Sequence, residues 1–326
     1  MQFWWGHGGS AVAVLLVAAS LALAQQPPAG DNLEGLFGPP DPEAIGLQSS
    51  DNVLLKATYW EPLAVGKKVV PIILLHGWDG RRQEFDRLGT RLQGEGHAVL
   101  SLDLRGHGGS TSIKRANSIT GDPIDRERFN KDDIERMLLD VQAAKNFLIA
   151  KNNEEKLNIE QLCLVGADLG ALVALNFAVA DWNSPPANGV KTGQDVKAVV
   201  LLSPPQSLKG ISFVPVLSQP VVRGEMSTMI LVGSEDTSRL GDAKKLYSTL
   251  ARFHAKLPDN ASVEEKADRL DLFLQEVNGD LAGTQLFSAG SKIDATIAQF
   301  IDLRLVKKGD NFLWAYRPDP PRRRGR

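Results

Sequence analysis

Residues 164–175 read LVGADLGALVAL, an apolar strand-like run that passes straight into a helix-like one through Gly166-Ala167-Asp168-Leu169-Gly170. Small residues stand two before and two after the one polar position, where larger side chains would collide across a sharp strand-to-helix turn. Such a turn lifts Asp168 to the tip, above the carboxyl edge of a sheet. The plainer reading is that Asp168 only caps the helix behind it, so the turn decides a fold only in company.

That company is present on both sides. Apolar, β-rich runs recur at 53–60 (VLLKATYW), 69–77 (VVPIILLHG), 98–104 (AVLSLDL), 162–166 (LCLVG), 196–204 (VKAVVLLSP), 228–236 (TMILVGSED) and 284–290 (TQLFSAG). Runs of this kind read as strands buried on both faces of a sheet. Between them, 132–151 sets Ile134, Met137, Leu138, Val141, Ala144 and Phe147 at helical spacing. Further helices are expected at 168–180, 242–256 and 293–305. The alternation predicts an α/β fold with a doubly wound, mostly parallel sheet. At 326 residues, 43% of them hydrophobic, the chain has enough apolar surface for one full-sized domain.

Two further turns carry chemistry. LLHGWDG (74–80) ends one strand at His76-Gly77-Trp78, and SLDLRGHGGS (101–110) ends the next in a glycine-rich turn. With the Asp168 turn in third place, the chain resembles the α/β-hydrolase superfamily over roughly residues 52–305. The resemblance implies that Asp168 occupies the nucleophile elbow and that the backbone N–H groups of Trp78 and Leu169 form the oxyanion hole. It makes Asp236, in Gly233-Ser234-Glu235-Asp236, the acid that orients a histidine, and gives Asp103, Arg105 and His107 bracing roles. The elbow GADLGA is similar to that of epoxide hydrolases and haloalkane dehalogenases. There an aspartate forms an alkyl ester that a histidine-activated water then hydrolyses.

Two departures bear on activity. Relatives carry the histidine in the loop after the last strand; with that strand at 284–290, the loop reads Phe287-Ser288-Ala289-Gly290-Ser291-Lys292 and Ser291 takes the histidine position. The five histidines, His7, His76, His97, His107 and His254, all lie elsewhere. Relatives with an aspartate elbow also insert a helical cap where this chain has only QSLKGISFVPVLSQPVVRGEMS (206–227), room for a loop and not for a cap. A carboxylate attacking an ester carbonyl gives an anhydride, and general-base help is worth about a hundredfold to ten-thousandfold in rate.

Three functions follow. The expected one is a catalytically degenerate hydrolase relative that binds an unidentified small molecule. The second is an active hydrolase of a small substrate, with Asp168 as nucleophile and His107 as an unconventional base. The third is an envelope scaffold acting through its tails. No metal or cofactor is called for by any of them.

The ends point to export. Residues 11–24 (AVAVLLVAASLALA) form an apolar run shorter than the roughly 20 residues of a membrane span, and it closes on Ala22-Leu23-Ala24, a signal-peptidase pattern. A signal peptide over 1–24, a Pro/Gly-rich linker over 25–50, a hydrolase domain over 51–305 and a basic tail over 306–326 are therefore expected. After cleavage no integral membrane segment remains, and the protein is expected to be secreted or periplasmic. The net charge of −2 offers no general attraction for nucleic acid. The only cysteine, Cys163, lies in an apolar run and cannot form an intramolecular disulfide.

Overall fold

The structure, a computed structural model, describes residues 38–115, 121–187, 189–254, 257–258, 260–288 and 292–317. The expected signal peptide, the first half of the linker, Ser291 and the last nine residues lie outside them. Contacts divide the chain into Met1–Gly38 and Pro39–Arg326, and all the elements below belong to the second unit.

Eight strands form the main sheet: β1 Glu43–Gln48, β2 Val53–Trp60, β3 Pro71–Leu75, β4 Ala98–Leu102, β5 Leu162–Ala167, β6 Val196–Leu202, β7 Ser227–Gly233 and β8 Leu272–Val277. They lie side by side in the order β1-β2-β4-β3-β5-β6-β7-β8, with two-residue strands at 112–113 and 122–123 continuing the β2 side. β2 runs antiparallel to β1 and β4, while every pairing from β4 to β8 is parallel. β3, β4 and β5 are buried along their whole length, which is why each reads as an unbroken apolar run.

Helices cover both faces, as the doubly wound pattern requires. On one face lie α2 Met137–Asn153, α3 Leu169–Trp182 and α4 Thr237–Leu250, contributing Met137, Val141, Leu172, Phe177, Leu246 and Leu250 to the core. The other holds α1 Asp86–Gly94 and α5 Ile293–Ile301, through Leu88, Leu92, Ile293, Ile297 and Ile301. Among the described residues no helix is long and apolar enough to cross a membrane.

Four boundaries differ from the sequence reading. β1 lies inside the stretch read as linker, zipped onto β2 from Glu43 against Tyr59 to Gln48 against Leu54. The helix expected over 132–151 is broken at Arg136, into Lys131–Glu135 and α2. Residues 284–288 are not a strand: 283–287 form a 3-10 turn whose Leu286 is buried, and among the described residues the last strand is β8, earlier in the chain. The basic tail begins later than 306, because residues 312–317 fold back over the domain. Asn158 Nδ2 donates to Phe312 O at 2.8 Å, Asn152 Nδ2 to Ala315 O at 2.9 Å, and Arg317 is buried.

Candidate active site

At the end of β5 the backbone turns at Asp168 with φ 49° and ψ −113°, a conformation that a residue with a Cβ adopts only under strain. The turn closes because its flanks carry no side chains. A Cβ on Gly166 would stand 2.3 Å from Gly170 O, and one on Gly170 would stand 2.2 Å from Leu75 O. Asp168 N–H donates to Leu202 O at 2.9 Å, tying the tip to the end of β6. The small-residue spacing in the sequence thus answers a real steric demand.

The half-buried Asp168 carboxylate is engaged. Its Oδ1 accepts a hydrogen bond from Arg239 Nη2 at 2.7 Å. Arg239 sits in the first turn of α4, and its backbone N–H donates at 3.0 Å to Oδ1 of Asp236, the residue capping that helix. The two acids singled out in the sequence therefore meet at one edge of the sheet through a single arginine. Among the described residues Asp236 bonds no histidine. Sequence reasoning missed Arg239; its one signal is a cation three residues after a helix cap, which lands one turn up the helix on the same side.

The loop after β3 completes this edge. Gly77 packs on the elbow so closely that a Cβ there would lie 3.2 Å from Asp168 Cβ. Neither Trp78 N–H nor Leu169 N–H, the latter at the start of α3, has a hydrogen-bond partner among the described residues. The Trp78 indole meets the His107 ring edge-on, with centroids 5.1 Å apart, and Phe129 at 6.2 Å.

The histidines are committed to structure. His76 is fully buried; its Nδ1–H donates to Gly77 O at 2.7 Å and its Nε2 accepts from Leu104 N–H at 3.1 Å. This fixes the neutral tautomer, and burial pushes its pKa down to about 4. His107 donates from Nδ1–H to Arg105 O at 2.8 Å, its Nε2 is buried without a hydrogen-bond partner, and burial lowers its pKa as well. His97 precedes β4, and His254 bonds Asp271 just ahead of β8 at 2.6 Å; both lie at the amino edge, away from the elbow. Among the described residues no histidine hydrogen-bonds Asp168.

The loop that returns from β8 reaches the elbow at Ala282-Gly283, where a Cβ on Gly283 would lie 3.7 Å from Ala167 Cβ and 3.8 Å from Asp168 Cβ. The histidine position at Ser291 depends on a strand over 284–290, and the described part of that stretch is a 3-10 turn. Ser291 itself lies outside the described residues. The segment between β6 and β7 forms a two-stranded hairpin, Ser207–Leu208 with Ile211–Ser212, followed by two short helical turns.

Behind the site, Asp103 and Arg105 brace the glycine-rich turn. Asp103 accepts from Arg82 N–H at 2.7 Å and Gly109 N–H at 2.8 Å, and also pairs with the Arg82 guanidinium. Arg105 bonds Asp140 and Asp51, each at 2.7 Å. Burial raises the Asp140 pKa to about 6. Cys163 is buried in β5 and burial raises its pKa, so it is an inert thiol. Among the described residues no cluster of His, Cys, Asp or Glu is arranged to hold a metal ion.

The family model described as "Alpha/beta hydrolase family" matches residues 72–322. Solved structures are similar in fold. A dienelactone hydrolase from Anabaena variabilis aligns with a TM-score of 0.55 at 16% identity, covering 82% of this chain and all of that one. An esterase from Pyrococcus furiosus aligns with a TM-score of 0.55 at 17% identity, covering 81% of this chain and 92% of that one. An esterase from Pyrobaculum calidifontis gives 0.53 at 13% identity, covering 86% and 88%. At these identities the likeness speaks for the fold alone. No curated protein sequence matches the chain.

Proposed function

The chain belongs to the alpha/beta hydrolase family, and we propose that it works by binding a small molecule at the elbow edge and not by turning it over. The observation that carries this reading is the Asp168–Arg239 ion pair. A carboxylate whose lone pairs are drawn to a guanidinium is a poor nucleophile toward carbon. Hydrolysis of an alkyl ester on Asp168 would also need a base, and His76, the histidine on the adjoining loop, holds its one basic nitrogen against Leu104 N–H. What remains suits binding: two unbonded backbone N–H donors, an indole and an ion pair on one edge.

The test is a screen of the purified protein with activated aryl esters, epoxides and haloalkanes. Turnover at the level of the uncatalysed reaction is expected for all three. Substantial turnover that disappears in Asp168→Ala would overturn the binding reading and restore Asp168 as a nucleophile.

The place of action is part of the same proposal. Ala22-Leu23-Ala24 after a short apolar run supports cleavage before Gln25 and delivery to the periplasm or the medium. Amino-terminal sequencing of the envelope and medium fractions is expected to read from Gln25. A chain that retains residues 1–24 there would replace the secreted protein with an anchored one.

A further inference from the structure

The hairpin between β6 and β7 turns through Lys209 and Gly210, with φ 50° and 88°. Two successive left-handed residues are what a tight hairpin demands, and Asn, Asp or Gly ordinarily takes the first place. Here a lysine takes it, and its ammonium stands 4.4 Å above the centre of the Trp78 ring. Lys209 makes no ion pair or hydrogen bond among the described residues.

A second cation approaches the same indole. The Arg126 guanidinium lies 5.6 Å from the ring centre and donates to Trp78 O at 3.0 Å. Its carboxylate neighbours, Asp79 at 3.4 Å and Glu127 at 3.3 Å, are 85% and 72% exposed, so water screens both pairs. The positive field of Arg126 still reaches inward, where it adds to burial in lowering the pKa of both His76 and His107. Of the carboxylates at this edge, Asp168 is paired with Arg239, Asp236 caps α4, and Glu84, beside Gly80, accepts a hydrogen bond from Thr284 at 2.8 Å. The indole itself is therefore flanked by two cations, Lys209 and Arg126.

We infer that the ligand of this site is a small carboxylate. Its anionic end is held by Lys209, Arg126 and the free N–H groups of Trp78 and Leu169, and its apolar body lies along the indole. Lys209 gains most from it, exchanging a ring contact for a charge-assisted hydrogen bond. The Leu169 N–H adds the positive end of α3. The inference rests on the binding reading above and adds the ligand's charge to it.

Phenylacetate, its methyl ester and inorganic phosphate separate the possibilities, with the mature protein followed by calorimetric melting and titration. Phenylacetate is expected to raise Tm with concentration, to bind more weakly as salt increases, and to lose about fivefold in affinity in Lys209→Ala, the scale of one exposed ion pair. Lys209→Arg is expected to keep most of the affinity, and the methyl ester to leave Tm unchanged. Equal binding of ester and acid, no loss in Lys209→Ala and Arg126→Ala, or silence of both organic compounds would each overturn the carboxylate. Phosphate binding as well as phenylacetate would overturn it in favour of a bare anion site. Hydrolysis of the methyl ester is a different outcome, because it sinks the binding reading itself.

Discussion

Arg239 Nη2 and Asp168 Oδ1 are 2.7 Å apart, and this contact joins the strained tip of β5 to the helix that follows β7. The pair is partly exposed, with 26% and 23% of the two side chains accessible, so by itself it contributes less than about 1 kcal/mol. The backbone at Asp168 costs more than the pair returns, since a non-glycine residue in so sparse a region stores roughly 1–3 kcal/mol. Asp168→Gly is therefore expected to raise stability by about 1 kcal/mol, whereas Asp168→Ala keeps the strain, loses the pair and melts slightly lower. Calorimetric Tm values for the two variants decide it; a glycine variant no more stable than the alanine one would mean the turn is relaxed.

A hydrolase of this fold requires a nucleophile, a base and the oxyanion donors. The loop from β8 touches the elbow at Gly283, so its neighbour Ala282 is the place to graft an imidazole. Asp168→Ser with Ala282→His is expected to cleave an activated aryl ester faster than either single variant, with Asp236 as the orienting acid. The rate will be small, because a catalytic group displaced by about 1 Å loses most of its effect. If Asp168→Ser with Ser291→His does better, the loop presents Ser291 and not Ala282 to the elbow.

Much of this was legible in the residues. Strands buried on both faces, such as β3 and β5, announce themselves as apolar runs, and the elbow announces itself through Gly166 and Gly170, whose Cβ atoms have nowhere to go. β8 did not, because it is an edge strand, half-buried and interrupted by Gln275 and Glu276, and 284–290, with Leu286 and Phe287 at its centre, competes with it as a strand. With β8 as the last strand, the loop after it meets the elbow at Gly283, whereas a count from 284–290 points to Ser291, which lies outside the described residues. Arg239 was hard to find for another reason: its place after the Asp236 cap sets its side of the helix, but its partner lies 71 residues away and nothing local names it. The buried setting of Arg317 was hidden likewise, because a tail rich in arginine and proline gives no sign of where it stops being solvated.

Acid should unfold the domain through its buried histidines. Burial pushes both His76 and His97 down to about 4, from about 6.5 when unfolded. Their contribution is complete above pH 6.5 and is lost as pH falls toward 4, by about 1.4 kcal/mol per pH unit for each group. Asp140 opposes them, since its pKa raised to about 6 favours the fold as pH drops through that value. Two histidines against one carboxyl leave a net fall in Tm between pH 6.5 and 4.5. In His97→Gln that fall should be clearly shallower; an unchanged slope would show that His97 is not held neutral.

The last described residue carries the final expectation. Arg317 Nη2 bonds Asp195 Oδ1 at 2.5 Å and pairs with Glu160, and Asp195 shares Lys145 at 2.6 Å with Asp181. Lys145, Asp181 and Asp195 are wholly buried and Arg317 nearly so, so the acids cannot fall back on water if a cation is removed. Leaving a buried charge unpaired costs about 3–5 kcal/mol. The strap is positioned for this contact by Asn153, which donates from Nδ2 to Arg317 O at 2.6 Å and accepts from Arg317 N–H at 2.9 Å. Ending the chain after Arg317 is thus expected to leave Tm unchanged, although it removes Arg322, Arg323, Arg324 and Arg326. Ending it after Tyr316, or making Arg317→Met in the full chain, is expected to lower Tm by on the order of 10 °C. Thermal melts of the three proteins, repeated at high salt to separate buried from exposed pairs, test it. Equal Tm for all of them would mean that the acids are satisfied without Arg317 and that the strap is ornamental to the fold.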